Sequence, residues 1–413
     1  MTVQFRPPPA LVELTRALEG AGFETWAVGG AIRDTLLGGE PTEWDLATRA
    51  RPDQVRGLFK RTVPVGVQHG TVGVFGSDRV LYEVTTFRLD VIPMGRKAVV
   101  SFADSLDEDL ARRDFTINAI AWHPLRDELR DPFGGTSDLD SGVLRAVGAA
   151  DERFREDYLR ILRGLRFAGR LALSIDPATW QYIVAEASGL SGLSPERVRE
   201  ELLKVMVAPA PSRSLALYER AGVFPQVAPA LGEPLAAAAL ESIDRVAAHR
   251  PLLRVGLLLL HGMKHPDPKG AEQLLSALRF SNAEIQAASK MVEGGLAPPE
   301  SWASGLDRRR WMARLGRRWI RNSIRVWIAG LEPGSQRSEA VPPIRAIRRD
   351  LTGGIPLDPR ELLVSGKDLI RAGFEPGPDM GRLLDYLLVS VWEDPGVGSA
   401  ESLLQLARRY RGG

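Results

Sequence analysis

The sequence has no cysteine in its 413 residues and only 5 histidines. The lack of cysteine excludes disulfide bonds, thiolate catalysis and zinc sites built on cysteine, and it fits a reducing cytoplasm. Long apolar runs are missing too, because Val255 to Leu260 is far shorter than the roughly 20 residues that cross a bilayer. Residues 1–9 lack the basic and then apolar pattern of a secretion signal. We therefore expect a soluble, cytoplasmic protein.

An excess of charge of either sign is also absent. The 54 Lys and Arg residues nearly balance the 52 Asp and Glu residues, which leaves a net charge of +2. An acidic partner would have to be bound by a local basic patch rather than by the overall charge. The chain is too long for one compact core, so we expect several domains.

The most informative feature is a glycine pair between a predicted strand and a predicted helix, in the segment Val28-Gly-Gly-Ala-Ile-Arg-Asp34. Gly29 and Gly30 let backbone N–H groups approach a ligand closely, and helix-forming residues follow at once. The unpaired N–H groups at the helix start and the guanidinium of Arg33 would then converge on an anion such as a triphosphate.

Carboxylates suited to divalent cations follow this turn. Glu43 and Asp45 are two residues apart, so they point to the same side of an extended segment. This arrangement can hold hard cations beside phosphates. Glu83 lies inside a β-rich run, on the same face as Thr85 and Phe87. It is either an exposed strand residue or the partner of a cation or metal.

Two later segments offer groups for a nucleotide. The guanidinium of Arg112 matches phosphate oxygens, although a solvated helix end is the alternative interpretation. The helical periodicity of residues 156–167 places Asp157 and Arg160 one turn apart. A carboxylate acceptor beside a guanidinium donor fits cytosine and adenine, each of which presents an amino donor beside a ring-nitrogen acceptor, and it mismatches uracil and guanine. The alternative is a surface ion pair.

The pattern of predicted elements changes along the chain. Up to His123 strand-like and helix-like segments alternate, with a hairpin predicted where residues 76–78 join the β-rich runs 71–75 and 80–86. The Pro/Gly-bearing, basic segment Leu89 to Ser101 is predicted to be a mobile loop. From Asp151 onward the sequence has helical periodicity. We predict an α/β head, a mixed sheet with helices, followed by an all-helical remainder.

Taken in order, these motifs resemble those of the class II tRNA nucleotidyltransferases, or CCA-adding enzymes, and of the related bacterial poly(A) polymerases. The resemblance covers nearly the whole chain, with matching segments at 29–34, 43–45, 83–88, 112–118, 131–135, 156–160, 196–202, 278–282, 365–369 and 376–381. It implies a nucleotidyltransferase head at 1–148 and a helical neck at 149–210 that recognises the base. It further implies a helical body at 211–335 and a helical tail at 336–413, both of which bind tRNA.

The resemblance also implies a reaction: C, C and A are added to the 3′ end of tRNA from CTP and ATP, without a template and with Mg²⁺. Carried over by position, Glu43 and Asp45 bind Mg²⁺. Together with Glu83, which its place in the β-rich run assigns a metal or catalytic role, they are the predicted catalytic residues. The nucleotide-binding residues implied in the same way are Gly29, Gly30, Arg33, Arg112, Asp157, Arg160, Arg163 and Arg166.

Two departures from the family pattern leave alternatives open. The usual metal pair is Asp-x-Asp, and here Glu43 occupies its first position. The loop after Arg88 lacks the usual acidic-Gly-Arg-Arg-Pro run, and in this family that loop governs the switch from CTP to ATP. An enzyme that adds only CC or only A, a poly(A) polymerase, and a catalytically weakened RNA-binding protein are therefore alternative interpretations.

A basic stripe between residues 305 and 350 predicts contacts with tRNA phosphates that are sensitive to salt. Its members are Arg308, Arg309, Arg310, Arg314, Arg317, Arg318, Arg321, Arg345, Arg348 and Arg349. Trp311, Trp319 and Trp327 recur every eight residues, which keeps them near one face of a helix, and we interpret them as core packing rather than base stacking.

Overall fold

The computed structural model describes residues 4–66, 70–89, 92–94, 97–99, 101–296, 302–331 and 334–411. The chain divides into two compact units, residues 1–193 with 220–226 and residues 194–219 with 227–413. The first boundary falls inside the predicted neck, and the division into four domains stays a prediction. Within the described ranges, no helix is both long enough and apolar enough to cross a membrane.

The first unit combines strands and helices, as predicted for an α/β head. Its strands are Thr25–Val28 (β1), Asp45–Thr48 (β2), Thr62–Gly66 (β3), Thr71–Phe75 (β4), Leu81–Thr86 (β5), Ile92–Met94 (β6), Lys97–Val99 (β7), Ala121–His123 (β8), Glu128–Arg130 (β9), Val143–Leu144 (β10) and Ser174–Ile175 (β11). Its helices are Pro9–Gly20 (α1), Gly30–Leu36 (α2), Pro52–Leu58 (α3), Leu106–Ala111 (α4), Gly135–Asp140 (α5), Ala150–Glu156 (α6), Leu159–Leu171 (α7) and Pro177–Ala185 (α8), with 3₁₀ turns at Thr116–Asn118 and Ala187–Gly192.

The main sheet of this unit has seven strands in the order β3-β4-β5-β2-β1-β8-β9. Strands β2 and β5 are parallel, and the other neighbouring strands are antiparallel. The predicted hairpin is confirmed as β4 and β5. Along β5, Tyr82 and Val84 are buried while Glu83 is exposed, which is the predicted alternation. A buried cluster that includes Trp26, Ala47 and Leu110 packs this part of the sheet against α4.

The predicted loop after Arg88 contains regular structure. The N–H of Leu89 donates to the carbonyl of Ser101 (2.8 Å), and β6 pairs antiparallel with β7, with Ile92 opposite Val99. The prediction of an aperiodic loop was therefore wrong for residues 92–94 and 97–99, where β-branched residues favour strand pairing. Residues 90, 91, 95, 96 and 100 lie outside the described residues, and the mobility of the segment stays a prediction.

The segment 156–167, predicted as one helix, is divided between α6 and α7. Asp157 is extended (φ −155°, ψ 102°), and its carboxylate accepts a hydrogen bond from the N–H of Leu159 at 3.1 Å. The short side chain of Asp offers the backbone this local alternative to a helical hydrogen bond, which periodicity does not reveal.

The second unit is helical, as predicted for the remainder of the chain. Its helices are Pro195–Met206 (α9), Pro211–Arg220 (α10), Val223–Val227 (α11), Ala237–Asp244 (α12), Pro251–Gly262 (α13), Pro268–Ala277 (α14), Asn282–Leu296 (α15), Gly305–Leu315 (α16), Arg317–Gly330 (α17), Ser335–Thr352 (α18), Gly366–Arg371 (α19), Pro378–Glu393 (α20) and Ala400–Arg411 (α21), with 3₁₀ turns at Pro359–Glu361 and Pro395–Val397. The last residue of α10 and most of α11 belong to the first unit.

The tryptophan stripe of the second unit is only partly buried. Trp311 is 2% exposed in the core around α16 and α20, which confirms its interpretation as a packing residue. Trp327 packs on Trp302 with ring centroids 4.8 Å apart. The guanidinium of Arg318 covers the ring of Trp319 at 4.5 Å.

Candidate active site

Two carboxylates from neighbouring strands lie side by side next to the end of β1. The antiparallel register of β1 and β2 pairs Val28 with Asp45, and the parallel register of β2 and β5 pairs Asp45 with Glu83. Partners in register on adjacent strands point to the same face of the sheet, with backbones about 4.8 Å apart. Asp45 and Glu83 are both exposed, and Glu43 is an exposed residue just before β2. The predicted proximity of Glu83 to Asp45 is confirmed.

These carboxylates do not form a preformed three-ligand metal site. In the part of the chain that the structure describes, no three His, Cys, Asp or Glu side chains are close enough together to hold a metal ion. Mg²⁺ usually takes one or two protein carboxylates and completes its coordination with water and substrate phosphates. The oxygen donors of Asp45 and Glu83 fit that requirement.

The electrostatic environment of Asp45 favours a bound cation. Desolvation by the surrounding protein atoms, together with the negative charges of Glu83 and Glu43, raises the pKa of Asp45 to about 6 against the opposing effect of Arg113, although the residue remains exposed to solvent. Neighbouring carboxylates repel each other when both are ionised. A divalent cation between them would remove that repulsion.

The glycine turn beside Asp45 has the predicted strand–turn–helix form. Gly29 directly follows β1 with φ 76° and ψ −129°, a conformation that is accessible essentially only to glycine. Helix α2 begins at Gly30. A Cβ atom added at Gly29 would lie 3.2 Å from Nη1 of Arg113. The backbone conformation therefore requires glycine, and a side chain here would also displace the guanidinium of Arg113 by a few tenths of an ångström.

Arg33 on α2 is held in place by several partners. It is 4% exposed, its Nη1 donates to Oδ1 of Asn118 at 2.7 Å, and its Nε donates to Oδ1 of Asp34 at 2.8 Å. Burial lowers the pKa of Arg33, and the nearby Asp34 partly offsets this effect. Arg33 is thus an oriented cation one turn from the glycine pair.

The ring of Phe167 on α7 is surrounded by three guanidinium groups. The guanidinium carbons of Arg33, Arg166 and Arg163 lie 5.1, 4.3 and 5.3 Å from its centroid. Arg163 also forms an ion pair with Asp114, with Nη2 and Oδ2 2.7 Å apart. Like charges gathered on an aromatic face form a site suited to a polyanion.

Asp109 holds two further arginines side by side. Its carboxylate is 1% exposed in its side chain and accepts from Nη2 of Arg112 at 2.7 Å and from Nη2 of Arg113 at 3.0 Å. Burial alone would raise the pKa of Asp109, but Arg113 and Arg112 outweigh it, and the pKa lies below its ordinary value. Burial and the charge of Arg112 lower the pKa of Arg88 to about 10. Two guanidinium groups therefore share one carboxylate here, and the backbone N–H of Arg88 donates to the same carboxylate at 3.3 Å.

Asp157 and Arg160, the predicted base-reading pair, lie where α6 gives way to α7. The guanidinium of Arg160 donates to Oε2 of Glu156 at 2.9 Å and to the carbonyl of Arg112 at 3.1 Å. The N–H of Arg160 donates to the carbonyl of Asp157 at 3.0 Å, so the two residues still lie within one turn. The positions of Asp157 and Arg160 are compatible with the predicted recognition of the nucleotide base, although Asp157 lies before α7 and not in it.

Comparison with known proteins places this geometry in a family. The model of the poly A polymerase head domain matches residues 25–145, and that of the probable RNA and SrmB-binding site of polymerase A matches residues 172–233. The CCA-adding enzyme of Lactiplantibacillus plantarum is 33% identical, with 99% of this chain and 97% of the relative covered. The chain belongs to the CCA-adding enzyme family. The Geobacillus kaustophilus member is 35% identical over 91% of this chain and 90% of its own length.

A solved member of the CCA-adding family has the same fold along its whole length. The crystal structure of the Bacillus stearothermophilus CCA-adding enzyme in complex with CTP has a TM-score of 0.78 and 30% identity, and 99% of each chain is covered. The matched head range contains the glycine turn, the carboxylates and the arginines on Asp109, whereas α7 lies between the two matched ranges.

Sequence reasoning missed two residues of this site. Arg113 was passed over in favour of Arg112, although Arg113 is the one that lies against Gly29. Phe167 was not singled out by the sequence as a site residue; it is buried, with 6% of its surface exposed, and three guanidinium groups contact its ring. The spacing of Arg163 and Phe167, four residues apart on a helix, was the available signal for the second residue.

The predicted basic stripe of the second unit contains both buried and exposed arginines. Arg308 and Arg309 are buried, with Nε of Arg308 donating to Oδ2 of Asp350 (2.8 Å) and Nη2 of Arg309 donating to Oδ1 (2.9 Å). Arg317 is bound to Glu361 at 2.7 Å. Burial and the shared carboxylate indicate a packing role for Arg308 and Arg309, and contact of these two residues with tRNA stays a prediction. The exposed members of the stripe include Arg310, Arg314, Arg318, Arg321, Arg345, Arg348 and Arg349.

Proposed function

We propose that this chain adds C, C and A to the 3′ end of tRNA from CTP and ATP, without a nucleic-acid template, in the cytoplasm. The observation that carries the proposal is the register pairing of Asp45 with Glu83 beside the Gly29 turn. This carboxylate pair lies next to a cluster of cations, in a head of the family whose members are named for this reaction. Nucleotidyl transfer needs these two elements together.

The reaction joins the 3′-hydroxyl oxygen of the RNA to the α-phosphorus of the nucleotide and releases pyrophosphate. Asp45 and Glu83, with Glu43 close by in sequence, would hold Mg²⁺. When bound by these carboxylates, Mg²⁺ would neutralise charge on the triphosphate and would lower the pKa of the 3′-hydroxyl. The N–H of Gly29 donates to the carbonyl of Ile120 at 3.4 Å, so the N–H of Gly30 is the one that binds a phosphate oxygen.

Arginines from both sides of the turn bind the triphosphate. Arg33, Arg163 and Arg166 approach from the face of Phe167, and Arg112 approaches from the Asp109 side. Fork-shaped guanidinium groups match phosphate oxygens, and the partners of each arginine fix its orientation before the nucleotide arrives.

Asp157 and Arg160 select the base. The carboxylate accepts from the amino group of cytosine or adenine, and the guanidinium donates to the adjacent ring nitrogen. Arg160 is already held by Glu156 and the carbonyl of Arg112, so its direction is set in the absence of nucleotide. Uracil and guanine would leave both groups mismatched.

The tRNA backbone binds an arginine surface on the second unit. Arg318, Arg321 and Arg325 lie along α17, and Arg250 and Arg318 line an open pocket of about 450 Å³ with α13 and α15. Within the described chain no carboxylate forms an ion pair with these four arginines, and burial, Arg250 and Arg321 lower the pKa of Arg325. Arg318 and Arg325 are seven positions apart, or roughly 10 Å along the helix, which is more than a single phosphate covers.

Purified protein incubated with tRNA that lacks its terminal CCA, with each nucleotide singly and in pairs, tests the proposal. We expect two C residues from CTP alone and a complete CCA only from CTP with ATP. Termination after CC, or addition of A only to tRNA that already ends in CC, would identify a partial-activity enzyme. A long A tail on RNA ends would identify a poly(A) polymerase. If no nucleotide is incorporated on any substrate, the remaining interpretation is a catalytically weakened RNA-binding protein.

A further inference from the structure

One row of register partners crosses the main sheet from the candidate metal ligands to the edge strand. Asp45 on β2 pairs with Glu83 on β5, and Glu83 pairs with Gly73 on β4. Gly73 in turn pairs with Val63 on β3, which is an edge strand of this sheet. Partners in register point to the same face, and neighbouring strands lie about 4.8 Å apart. The row therefore extends about 14 Å from Asp45 along the face that carries the carboxylates.

Beyond Glu83 this face becomes apolar around Gly73. A Cβ atom added there would lie 2.7, 2.8 and 2.9 Å from side-chain carbons of Val65, Val63 and Leu81, in that order. Because glycine has no side chain, these three apolar side chains can meet above β4. Val65 is nevertheless 44% exposed, and Leu81 is 41% exposed. We call Val63, Val65 and Leu81 the apolar platform.

An aromatic ring and an arginine border the apolar platform. Phe75 pairs with Leu81 across β4 and β5, so the two side chains share a face. The guanidinium carbon of Arg61 lies 4.9 Å from the centroid of the Phe75 ring, and Arg61 is exposed. Apolar and aromatic surface beside an exposed cation suits single-stranded nucleic acid, because the bases can stack on it and the cation can bind a phosphate.

The apolar platform lies where exposed apolar groups are a liability. An edge strand with exposed apolar side chains favours pairing with another chain, and natural proteins usually protect such edges with charged residues. Fold stability therefore does not explain why Val65 and Leu81 are apolar. A contiguous exposed apolar cluster is instead typical of a binding surface.

We propose that the apolar platform binds the last nucleotides of the tRNA 3′ end, with their bases on Val65 and Leu81 and a phosphate beside Arg61. This inference rests on the proposed function, because nucleotidyl transfer requires the 3′-hydroxyl at the carboxylates and the preceding nucleotides on adjoining surface. The row from Asp45 to Val63 is continuous with the carboxylates, and its length accommodates a few nucleotides stacked at about 3.4 Å each. Apolar contact with base faces tolerates either C or A at the growing end.

The test compares V65S/L81S and L81F with the wild-type protein by fluorescence anisotropy. The probes are labelled tRNA ending in CC and the same tRNA without its unpaired 3′ nucleotides. V65S/L81S should bind the first RNA about fivefold or more weakly and the second with wild-type affinity to within about twofold. L81F should bind the first RNA at least as tightly as the wild-type protein, because an aromatic ring offers bases a larger stacking surface. Calorimetry of CTP with Mg²⁺ should give the wild-type affinity for both variants.

A matched control removes an equally exposed apolar side chain outside the sheet. Val184 on α8 is 46% exposed, and V184S should change neither RNA affinity. Equal weakening for both RNAs in V65S/L81S would indicate a general loss of structure and overturn the inference. Unchanged affinity for both RNAs would show that the 3′ end lies elsewhere.

A second copy of the chain is the competing occupant of this edge. Sedimentation velocity measures the oligomeric state of the wild-type protein and of V65S/L81S. A wild-type dimer that dissociates in V65S/L81S, with unchanged affinity for both RNAs, would assign the apolar platform to contact between copies and overturn the inference. The proposed function fails separately, if the wild-type protein adds no nucleotide to tRNA.

Discussion

Asp45 and Glu83 are register partners on two parallel strands, and the residue paired with Asp45 on the other side, Val28, directly precedes the glycine turn. One set of strand pairings therefore brings the carboxylates together with the glycine turn that we propose binds phosphate. Residues 38 positions apart in the sequence become neighbours through the β2–β5 register. The site depends on that register, because a shift by one residue would turn Glu83 to the opposite face.

Asp45→Asn should abolish nucleotide addition while the fold is retained. The amide is a weaker ligand for Mg²⁺, and several kcal/mol of transition-state stabilisation corresponds to a loss in kcat of about a thousandfold or more. Removal of one of two repelling carboxylates should not lower thermal stability. Single-turnover incorporation of CTP and circular dichroism measure the two effects. Glu43→Asp, which restores the usual family residue, is the matched control and should remain active; near wild-type turnover in Asp45→Asn would refute the metal assignment.

Local pattern predicted the elements of this site, but not the partners of its charges. The strand, the glycine turn and the exposed face of Glu83 follow from periodicity and from the special conformation of Gly29. Arg112 and Arg113 are adjacent in sequence and both pair with Asp109, and only the approach of Arg113 to Gly29 distinguishes them. A run of arginines likewise cannot show which of its members are buried, because the carboxylate that decides this for Arg308 is 42 residues away.

Asp157→Ala and Arg160→Ala should relax the choice of base as well as slow the reaction. A mismatched base leaves buried polar groups unpaired, which costs about 1–3 kcal/mol per group. The ratio of kcat/KM for CTP to that for UTP should therefore fall by about tenfold or more in each variant. If the two residues contact only phosphate, the rates should fall while the ratio of kcat/KM for CTP to that for UTP stays unchanged. That result would show that Asp157 and Arg160 do not select the base.

Replacement of residues 90–100 by a short Gly/Ser linker should spare the addition of C and impair the addition of A. The two ends of the segment are joined by the hydrogen bond between the N–H of Leu89 and the carbonyl of Ser101. The main sheet should therefore tolerate the replacement. Single-turnover rates with CTP on tRNA lacking CCA, and with ATP on tRNA ending in CC, measure the two steps. Equal loss of both steps would assign the segment a structural role instead.

Arg321→Ala and Arg325→Ala should each weaken tRNA binding and reduce its dependence on salt. Loss of one phosphate contact lowers the slope of log K against log salt concentration by about 0.7–0.9. Fluorescence anisotropy with labelled tRNA between low and physiological salt gives this slope. Arg360→Ala removes an exposed arginine that is already paired with Asp358 and should leave the slope unchanged. A wild-type slope in both variants would show that Arg321 and Arg325 do not contact the phosphates of tRNA.

Asp350→Ala should destabilise the second unit without a direct effect on tRNA binding. The substitution leaves the buried guanidinium groups of Arg308 and Arg309 without their shared carboxylate, and breaking a buried ion pair from one side costs about 3–5 kcal/mol. Urea unfolding measures this loss. Asp358→Ala, which breaks the exposed pair with Arg360, should lower the free energy of unfolding far less. At temperatures where Asp350→Ala remains folded, its salt slope for tRNA should match that of the wild-type protein, because buried arginines cannot reach phosphates. A reduced slope in that folded variant would show that Arg308 and Arg309 contact tRNA, and it would contradict the packing role that their burial indicates.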